Sequence, residues 1–307
     1  VGNLKNIDII KRGTKAGKSG SSFLCLMSGV PISFQYIRTE AKLNRMGKRL
    51  MAVIAEGEKG RVYLPPSKDM EEIGVNLIPN DVPETEMPLR ALSFRVQEYG
   101  MIKWRDLFTT RQLEALTTFS DLIRDELCQQ VQEDMKLSNG FEKILDKSFG
   151  ASNNNSNNLF DYYKNMYSQA IALYLSLALD KFADYNNTIC TWNPTNQNIG
   201  HLFTKQAIPM AWDFPESSPL NGGLSFDSIS DGIASTIELL PASVEGMAFQ
   251  QDCSKLTIDH LPIISTDPPY YDNIGYADLS DFFYIWLRRS LKNIFPSLFA
   301  TLATPKI

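Results

Sequence analysis

The sequence predicts an α/β fold that combines a helix-flanked parallel sheet, a small β-rich module and a helical segment. Residues 225–292 follow the order helix, strand, loop, strand, helix, which is typical of a parallel sheet. Residues 22–64 contain short apolar runs between turns, which indicates hairpins. The predicted segments are a basic β-rich module at 1–66, a proline-punctuated connector at 67–108, a helical segment at 109–200 and an α/β segment at 201–307.

The size and composition of the chain indicate a soluble globular protein with two or more domains. It has 307 residues, of which 43% are apolar and 21% are charged. No apolar run reaches the roughly 18 residues that a membrane span requires, so we expect no contact with a membrane. The N-terminus lacks a Met and a signal-peptide pattern, and the C-terminus stops just after a predicted helix. We therefore expect the chain to be an internal fragment of a longer protein.

The cysteines are too widely spaced to indicate a metal site or a disulfide framework. The chain has no CxxC pair, and its histidines are not near any pair of cysteines in the sequence. We therefore expect reduced thiols, a cytoplasmic location and no bound metal, and we interpret His201 and His260 as structural residues. The cysteines are Cys25, Cys128, Cys190 and Cys253.

Charge is distributed unevenly along the chain. Through Arg61 there are 12 Lys or Arg residues against 4 Asp or Glu, whereas the remaining residues have 18 against 31. A basic segment on an acidic protein is typical of binding to a polyanion, although a solvated basic face explains it equally well. Phosphate contacts would make DNA binding weaken as salt rises. The candidate contacts are Arg38, Lys42, Arg45, Lys48 and Arg49.

Short strands are predicted in the basic module and long helices after it. Hairpins are predicted at residues 22–37 and 50–64, and one short helix is a candidate at residues 68–73. Thr109 and Gln112 form a capping box that opens a long amphipathic helix. A second long helix, at residues 159–185, has Tyr and Leu around most of its circumference, so we expect it to be largely buried.

The α/β segment contains two acids that follow predicted strands. Because ligands bind at the carboxyl ends of parallel strands, Asp252 and Asp267 are expected to lie at the same edge of the sheet. Residues 186–223, which precede this segment, are predicted to be irregular. The predicted elements of the segment are a helix, two strands and a helix, at residues 225–240, 244–249, 261–266 and 276–291.

Asp267 opens the sequence Asp-Pro-Pro-Tyr, whose groups suit a planar amine substrate. An exocyclic aromatic amine is a poor nucleophile, because its lone pair is delocalised into the ring. The Asp267 carboxylate and the Pro268 carbonyl can accept its two hydrogens and so concentrate that lone pair, while Pro269 restricts the carbonyl's position. Tyr270 offers a ring on which an extruded base can stack. Asp252 could accept a hydrogen bond from the adenine amine of a cofactor.

These residues resemble a known family. The run TDPPYYDNIGYADLSDFFYIWLRRSL is similar to the large adenine-specific DNA methylases that depend on S-adenosyl-L-methionine and carry an inserted zinc-ribbon segment. The stretches GRVYLPP at 60–66 and FTKQAIPMAWDFPE at 203–216 agree, so the resemblance covers nearly the whole chain. It implies a partial Rossmann-like methyltransferase sheet, S-adenosyl-L-methionine as cofactor and DNA as partner. It also implies catalytic roles for Asp267, Pro268, Pro269 and Tyr270.

The resemblance further implies that Asp252 matches the acidic cofactor-binding position. Tyr271 and Tyr276 either line the pocket for the base or cap the helix that follows. Two features depart from the family. The glycine-rich cofactor loop, which the family carries upstream, is not found in these residues, and the family's CxxC is replaced by Cys-Leu-Met-Ser at residues 25–28. We therefore expect a degenerate, metal-free ribbon that is held by β packing.

Three interpretations of the function stay open. The first is methyl transfer to adenine in DNA by the catalytic-motif half of a longer enzyme. The second is a non-catalytic nucleic-acid-binding module or degenerate methylase, in which Asp-Pro-Pro-Tyr is a plain turn. The third is methylation of an amino or amide group in RNA or in a protein glutamine. The basic segment favours a nucleic-acid substrate over a protein substrate. Other subunits of a restriction or defence system are candidate partners.

Overall fold

A computed structural model of the chain shows a mixture of helices and small antiparallel sheets. Helix accounts for 43% of the structure and strand for 12%. The general α/β class is therefore confirmed, with more helix than strand. The chain divides into two compact units, and the four predicted segments stay a prediction. The structure describes residues 13–16, 22–74, 76–127, 129–131, 133, 156–240, 246–247, 252–257, 263–267 and 273–304, with the side chains at 126, 156–161 and 253 excepted.

Unit one comprises Val1–Phe119 and Asp184–Glu216, and its described residues form three small antiparallel sheets. The first has three strands in the order β1-β2-β3, and the other two are hairpins. The strands are β1 (Lys15–Ala16), β2 (Ser22–Leu24), β3 (Pro31–Ser33), β4 (Val53–Gly57), β5 (Gly60–Leu64), β6 (Thr191–Asn193) and β7 (Asn198–Gly200).

Both predicted hairpins of the basic module are confirmed. In the first, Phe23 pairs with Ile32, but β3 is shorter than predicted because helix α1 (Phe34–Lys42) begins directly after it. The Ser33 hydroxyl caps α1 by accepting a hydrogen bond from the Tyr36 N–H at 3.2 Å. The connector also contains the candidate short helix, α2 (Lys68–Glu72).

The helical segment begins as the capping box predicts. Helix α3 (Thr110–Asp121) continues as a π-helical turn at Leu122–Glu126. The Thr109 N–H donates to the Gln112 side chain at 2.8 Å, and the Gln112 N–H donates to the Thr109 hydroxyl at 3.2 Å. Local sequence was therefore sufficient to locate this helix start.

Hydrophobic residues from distant parts of the chain form the core of unit one. Trp104 and Leu107 lie in a short 3₁₀ helix and are fully buried, as is Ile208. The Arg95 N–H donates to the Ile208 carbonyl at 2.9 Å, which joins the connector to residues 184–216. The prediction that residues 186–223 are irregular was wrong at β6 and β7, because the Pro-Thr-Asn-Gln turn between them closes a hairpin.

Unit two comprises Ser120–Ala183 and Ser217–Ile307, and its described elements are mainly helical. Its core includes Leu179, Phe182, Phe282 and Trp286, all fully buried. The expected burial was wrong at Tyr167, which is 48% exposed. The principal helices are α4 (Ser156–Tyr185, which begins in unit two and ends in unit one), α5 (Phe226–Leu239) and α6 (Tyr276–Leu291).

The described residues of unit two do not contain the predicted parallel sheet. Residues 263–267 are described and form no strand, and Ile263 and Ile264 are highly exposed, so the strand predicted at 261–266 was wrong over this part. A strand needs a neighbour to pair its backbone groups, and the described part of unit two supplies none. The strand predicted at 244–249 falls mostly outside the described residues.

The apolar stripe of α5 is correspondingly uncovered. Ile229 is buried, but Ile237 is 36% exposed and Leu240, at the end of the helix, is 60% exposed. The helical periodicity of this segment predicts that Phe226, Ile229, Ile233, Ile237 and Leu240 face inward, and that prediction was wrong at Ile237 and Leu240. An amphipathic helix buries its stripe only where a second layer packs against it.

Candidate active site and nucleic-acid interface

The helix that follows the Asp-Pro-Pro-Tyr sequence is firmly anchored within unit two. Asp281 of α6 is almost fully buried, and its carboxylate accepts a hydrogen bond from the Thr304 N–H at 2.8 Å. The hydroxyls of Ser290 and Ser120 are hydrogen-bonded at 3.0 Å, and both residues are buried. These contacts fix the position of α6, the helix that follows the Asp-Pro-Pro-Tyr sequence in the chain.

Two of the predicted site residues near this helix lie in the described part of the chain, and both are exposed. Asp267 is the last residue of the stretch 263–267, and its side chain is open to solvent. Tyr276 is the first residue of α6 and is 49% exposed. Both side chains are therefore available to a substrate. The predicted site residues Pro268, Pro269, Tyr270 and Tyr271 lie outside the described residues.

Asp252 uses one carboxylate oxygen to form a local turn. Its Oδ1 accepts hydrogen bonds from the Ser254 N–H at 3.0 Å and from the Ser254 hydroxyl at 2.8 Å. These bonds, led by that from the hydroxyl, lower the pKa of Asp252. The other oxygen, Oδ2, lies 3.8 Å from the Lys255 ammonium. Asp252 is thus an exposed, ionised carboxylate, and the predicted strand edge shared with Asp267 stays a prediction.

Three of the five predicted phosphate contacts are engaged by glutamates within unit one. Arg45 makes a bidentate pair with Glu40, with both N–O distances at 2.7 Å. The pairs Arg49–Glu71 and Arg38–Glu98 have N–O distances of 2.7 Å and 2.5 Å. A carboxylate that already holds the guanidinium competes with a phosphate for the same donors. The basic segment is therefore less cationic at its surface than the sequence suggests.

The two lysines of the predicted set have no carboxylate at ion-pair distance within the described part of the chain. Lys42 is exposed at the end of α1. Lys48 is also in contact with solvent. Its pKa is lowered, chiefly because partial burial removes water from the ammonium group and disfavours its charged form. Of the five, these lysines are the most available to a phosphate group.

An aromatic and cationic cluster in unit one was not predicted from the sequence. The rings of Tyr63 on β5 and Trp192 on β6 meet edge to face, with centroids 6.5 Å apart. The Arg61 guanidinium lies over the Trp192 ring, 6.0 Å from its centroid. The single aromatic residue of the GRVYLPP stretch, Tyr63, was a weak signal in the sequence, but only the fold brings Trp192 beside it.

His201 is held by a carboxylate, in agreement with a structural role. Asp184 accepts hydrogen bonds from His201 Nδ1 at 2.9 Å and from the Phe203 N–H at 3.1 Å. Burial nevertheless dominates and raises the pKa of Asp184. The pair ties the end of α4 to the short 3₁₀ helix Leu202–Thr204. His260 lies outside the described residues.

The described residues form no cluster of three or more His, Cys, Asp or Glu side chains that could hold a metal ion. At the turn after β2, the Cys25 N–H donates to the Val30 carbonyl at 2.9 Å and the Gly29 N–H donates to the Cys25 carbonyl at 2.8 Å. These backbone bonds close the β2–β3 hairpin. The metal-free state of the ribbon stays a prediction.

Comparison with protein-family models, with curated proteins and with solved structures found no match. Among the helices of the described residues, none combines the length and apolar character required to cross a membrane.

Proposed function

We propose that this chain is the catalytic-motif half of an S-adenosyl-L-methionine-dependent methyltransferase that acts on the exocyclic amine of adenine in DNA. The observation that carries the proposal is the exposed Asp267 carboxylate, which lies just before an anchored helix whose first residue, Tyr276, is also exposed. A carboxylate that must accept a hydrogen bond from a base has to be open to that base.

The proposed roles follow from hydrogen-bonding capacity. The Asp267 carboxylate and the Pro268 carbonyl accept the two hydrogens of the adenine amine, and Tyr270 stacks on the extruded base. Pro269 limits the positions of the Pro268 carbonyl. Tyr271 and Tyr276 line the base pocket. Each of these groups orients the amine or raises its nucleophilicity.

The cofactor fits the present residues only in part. Asp252 is exposed and ionised, and its Oδ2 can accept a hydrogen bond from the adenine amine of S-adenosyl-L-methionine. When bound, this cofactor supplies the methyl group. The proposal assigns its remaining contacts to an upstream glycine-rich loop, and it assigns the partial Rossmann-like sheet to strands that pair beside the uncovered stripe of α5.

The proposal is tested by methyl transfer in the full-length protein that carries the upstream segment. Incorporation of radiolabelled methyl groups into adenine of duplex DNA is expected, and Asp267→Ala should reduce it to background. Asp231→Ala is the matched control, because Asp231 is an exposed acid on α5. Robust methylation by Asp267→Ala would overturn the assigned mechanism. RNA and glutamine-containing peptides in the same assay test the other amino-methyl acceptors.

A non-catalytic nucleic-acid-binding role, as a module or a degenerate methylase, is the second candidate. The observation that favours it is the lack of a strand at residues 263–267, which leaves Asp267 without the rigid strand end that catalysis requires. The same assay separates the two candidates, because a binding module associates with DNA whether or not Asp267 is present and transfers no methyl group.

A further inference from the structure

The most informative surface outside the predicted active site is the cluster of Arg61, Tyr63 and Trp192. Register places Arg61 opposite Glu56 and Tyr63 opposite Ile54, so these four side chains share one face of the β4–β5 hairpin. Trp192 lies against that face through Tyr63 and Arg61. Strand pairing within the β4–β5 hairpin thus sets Arg61 and Tyr63 on one face, and Trp192 of the separate β6–β7 hairpin contacts both.

The Arg61 and Tyr63 side chains of the cluster are exposed and can contact a ligand. Arg61 is exposed and has no carboxylate at ion-pair distance among the described residues, although Glu56 is its cross-strand partner. Its guanidinium lies over the Trp192 ring instead. Tyr63 keeps 51% of its surface exposed. The arrangement thus differs from Arg38, Arg45 and Arg49, whose charges are offset by glutamates.

Trp192 also adjoins a polar loop. It precedes Asn193, whose side-chain oxygen accepts hydrogen bonds from the backbone N–H groups of Thr195 and Asn196 at 3.0 Å and 3.2 Å. The remaining residues of the β6–β7 turn are exposed and include Asn196 and Gln197. Their amide groups can donate to phosphate oxygens and both donate to and accept from base edges.

We propose that Arg61, Tyr63 and Trp192 form a platform for an unpaired base of single-stranded nucleic acid. Base–aromatic stacking tolerates any sequence, because every base has a π-face, and a guanidinium adds cation–π and phosphate contacts. A duplex hides its base faces in the stack, so this platform favours a strand that is unpaired. The exposed amides beside Trp192 supply hydrogen bonds to that strand.

The inference rests on the nucleic-acid-binding part of the proposed function and names a contact for the strand. It is independent of methyl transfer. Loss of the platform would therefore weaken strand binding without removing any group assigned to the adenine amine.

The test is direct binding of a fluorescein-labelled oligothymidylate, measured by anisotropy with the same chain and without cofactor. The wild type is expected to bind it more tightly than a duplex of equal length. Tyr63→Ser should weaken binding about tenfold, and Tyr63→Phe should keep it, because stacking needs the ring and not the hydroxyl. Arg61→Gln should weaken binding and reduce the salt slope by about one.

The matched control is Tyr162→Ser, which removes a tyrosine that is 57% exposed on α4, in unit two. It should bind as the wild type does. Circular dichroism and thermal unfolding of each variant establish that the hairpin is retained. Equal affinity of Tyr63→Ser and wild type would overturn the platform, as would a preference for duplex. A peptide that displaces the oligonucleotide from wild type but not from Tyr63→Ser would identify a protein-binding surface instead and would also overturn it.

The two proposals fail in different ways. If Tyr63→Ser binds the single strand with wild-type affinity while the full-length protein transfers methyl groups to DNA, the platform is wrong and the proposed function stands. If the full-length protein transfers no methyl group but Tyr63→Ser loses single-strand binding, the platform stands and the enzyme assignment is wrong.

Discussion

Arg289 on α6 donates two hydrogen bonds to Asp121 at the end of α3, with N–O distances of 2.6 Å and 3.2 Å. The Arg289 side chain is only 8% exposed, whereas that of Asp121 is 41% exposed. The adjacent residues Ser290 and Ser120 are also hydrogen-bonded. The helix after the Asp-Pro-Pro-Tyr sequence is thus joined to a helix that lies far earlier in the chain.

Replacing Asp121 should destabilise unit two, because it removes the two hydrogen bonds that Asp121 accepts from the nearly buried Arg289 and its ion pair with Arg124. We expect Asp121→Ala to lower the free energy of unfolding by about 2 kcal/mol, less than for a fully buried pair because Asp121 is partly solvated. Urea unfolding measures the change. Asp231→Ala should stay within about 0.5 kcal/mol of wild type, since Asp231 is an exposed acid. A variant of Asp121 that is as stable as this control would show that the pair contributes nothing.

The buried Asp180 should make the free energy of unfolding depend on pH. It is 7% exposed, its Oδ1 has no hydrogen-bond partner among the described residues, and burial raises its pKa well above the ordinary 3.8. The folded state therefore holds a proton that the unfolded state releases, so stability is highest below the unfolded pKa and falls as pH rises through the folded pKa.

Asp180→Asn should remove this contribution, because an amide does not titrate. Urea unfolding between acidic and neutral pH should show a shallower decline of stability with pH in the variant than in the wild type. Asp231→Asn again serves as the control and should leave the slope unchanged. An identical slope in Asp180→Asn and wild type would contradict the assignment.

Local sequence predicted the elements whose signals are themselves local. Thr109 and Gln112 specify a helix start through bonds to each other, so no distant partner is needed. The helix predicted at residues 276–291 has those same bounds in the structure, as α6. The strand predicted through Ile263 and Ile264 failed because an apolar run becomes a strand only when another strand pairs with it.

Interaction partners were harder to predict than elements. The basic residues of the first module were visible in the sequence, but the glutamates that hold them were not, since Glu98 and Glu71 reach Arg38 and Arg49 only in the folded unit. Trp192 reaches Tyr63 in the same way. The candidate site was therefore predictable as a motif, whereas its electrostatic surroundings required the fold.

The thiols of Cys25 and Cys190 should differ sharply in reactivity. The Ser28 hydroxyl, with backbone bonds at the same turn, lowers the pKa of Cys25, while burial raises the pKa of Cys190 to about 12. Because the thiolate is the nucleophile, iodoacetamide at neutral pH should alkylate Cys25 at least about a hundred times faster in the folded protein. Peptide-level mass spectrometry measures both rates.

Ser28→Ala should slow the alkylation of Cys25, and Ser22→Ala is the matched control on the same hairpin, because its hydroxyl bonds to the Ala16 carbonyl instead. Unfolding in urea should bring the two thiols to similar rates. Equal rates for Cys25 and Cys190 in the folded protein would contradict the prediction.

The ion pair between Glu40 and Arg45 leads to the prediction that a single substitution in the basic module strengthens DNA binding. Arg45 donates two hydrogen bonds to Glu40, and hydrogen bonding from Arg45 is the main cause that lowers the pKa of Glu40, so both groups are charged and paired with each other. Glu40→Gln should release Arg45 to a phosphate, tighten DNA binding about threefold and steepen the salt slope by about one. Lys42→Gln should have the opposite effect.

The control for Glu40→Gln is Glu238→Gln, which changes the net charge equally at an exposed site on α5 and releases no arginine. Anisotropy titrations of labelled duplex DNA across a range of potassium chloride concentrations give both slopes. If the two variants change affinity to the same extent, the gain comes from net charge alone and Arg45 is not a phosphate contact. If only Glu40→Gln tightens binding, the internal ion pair restrains the interface, since the glutamate and the phosphate compete for the same two N–H donors.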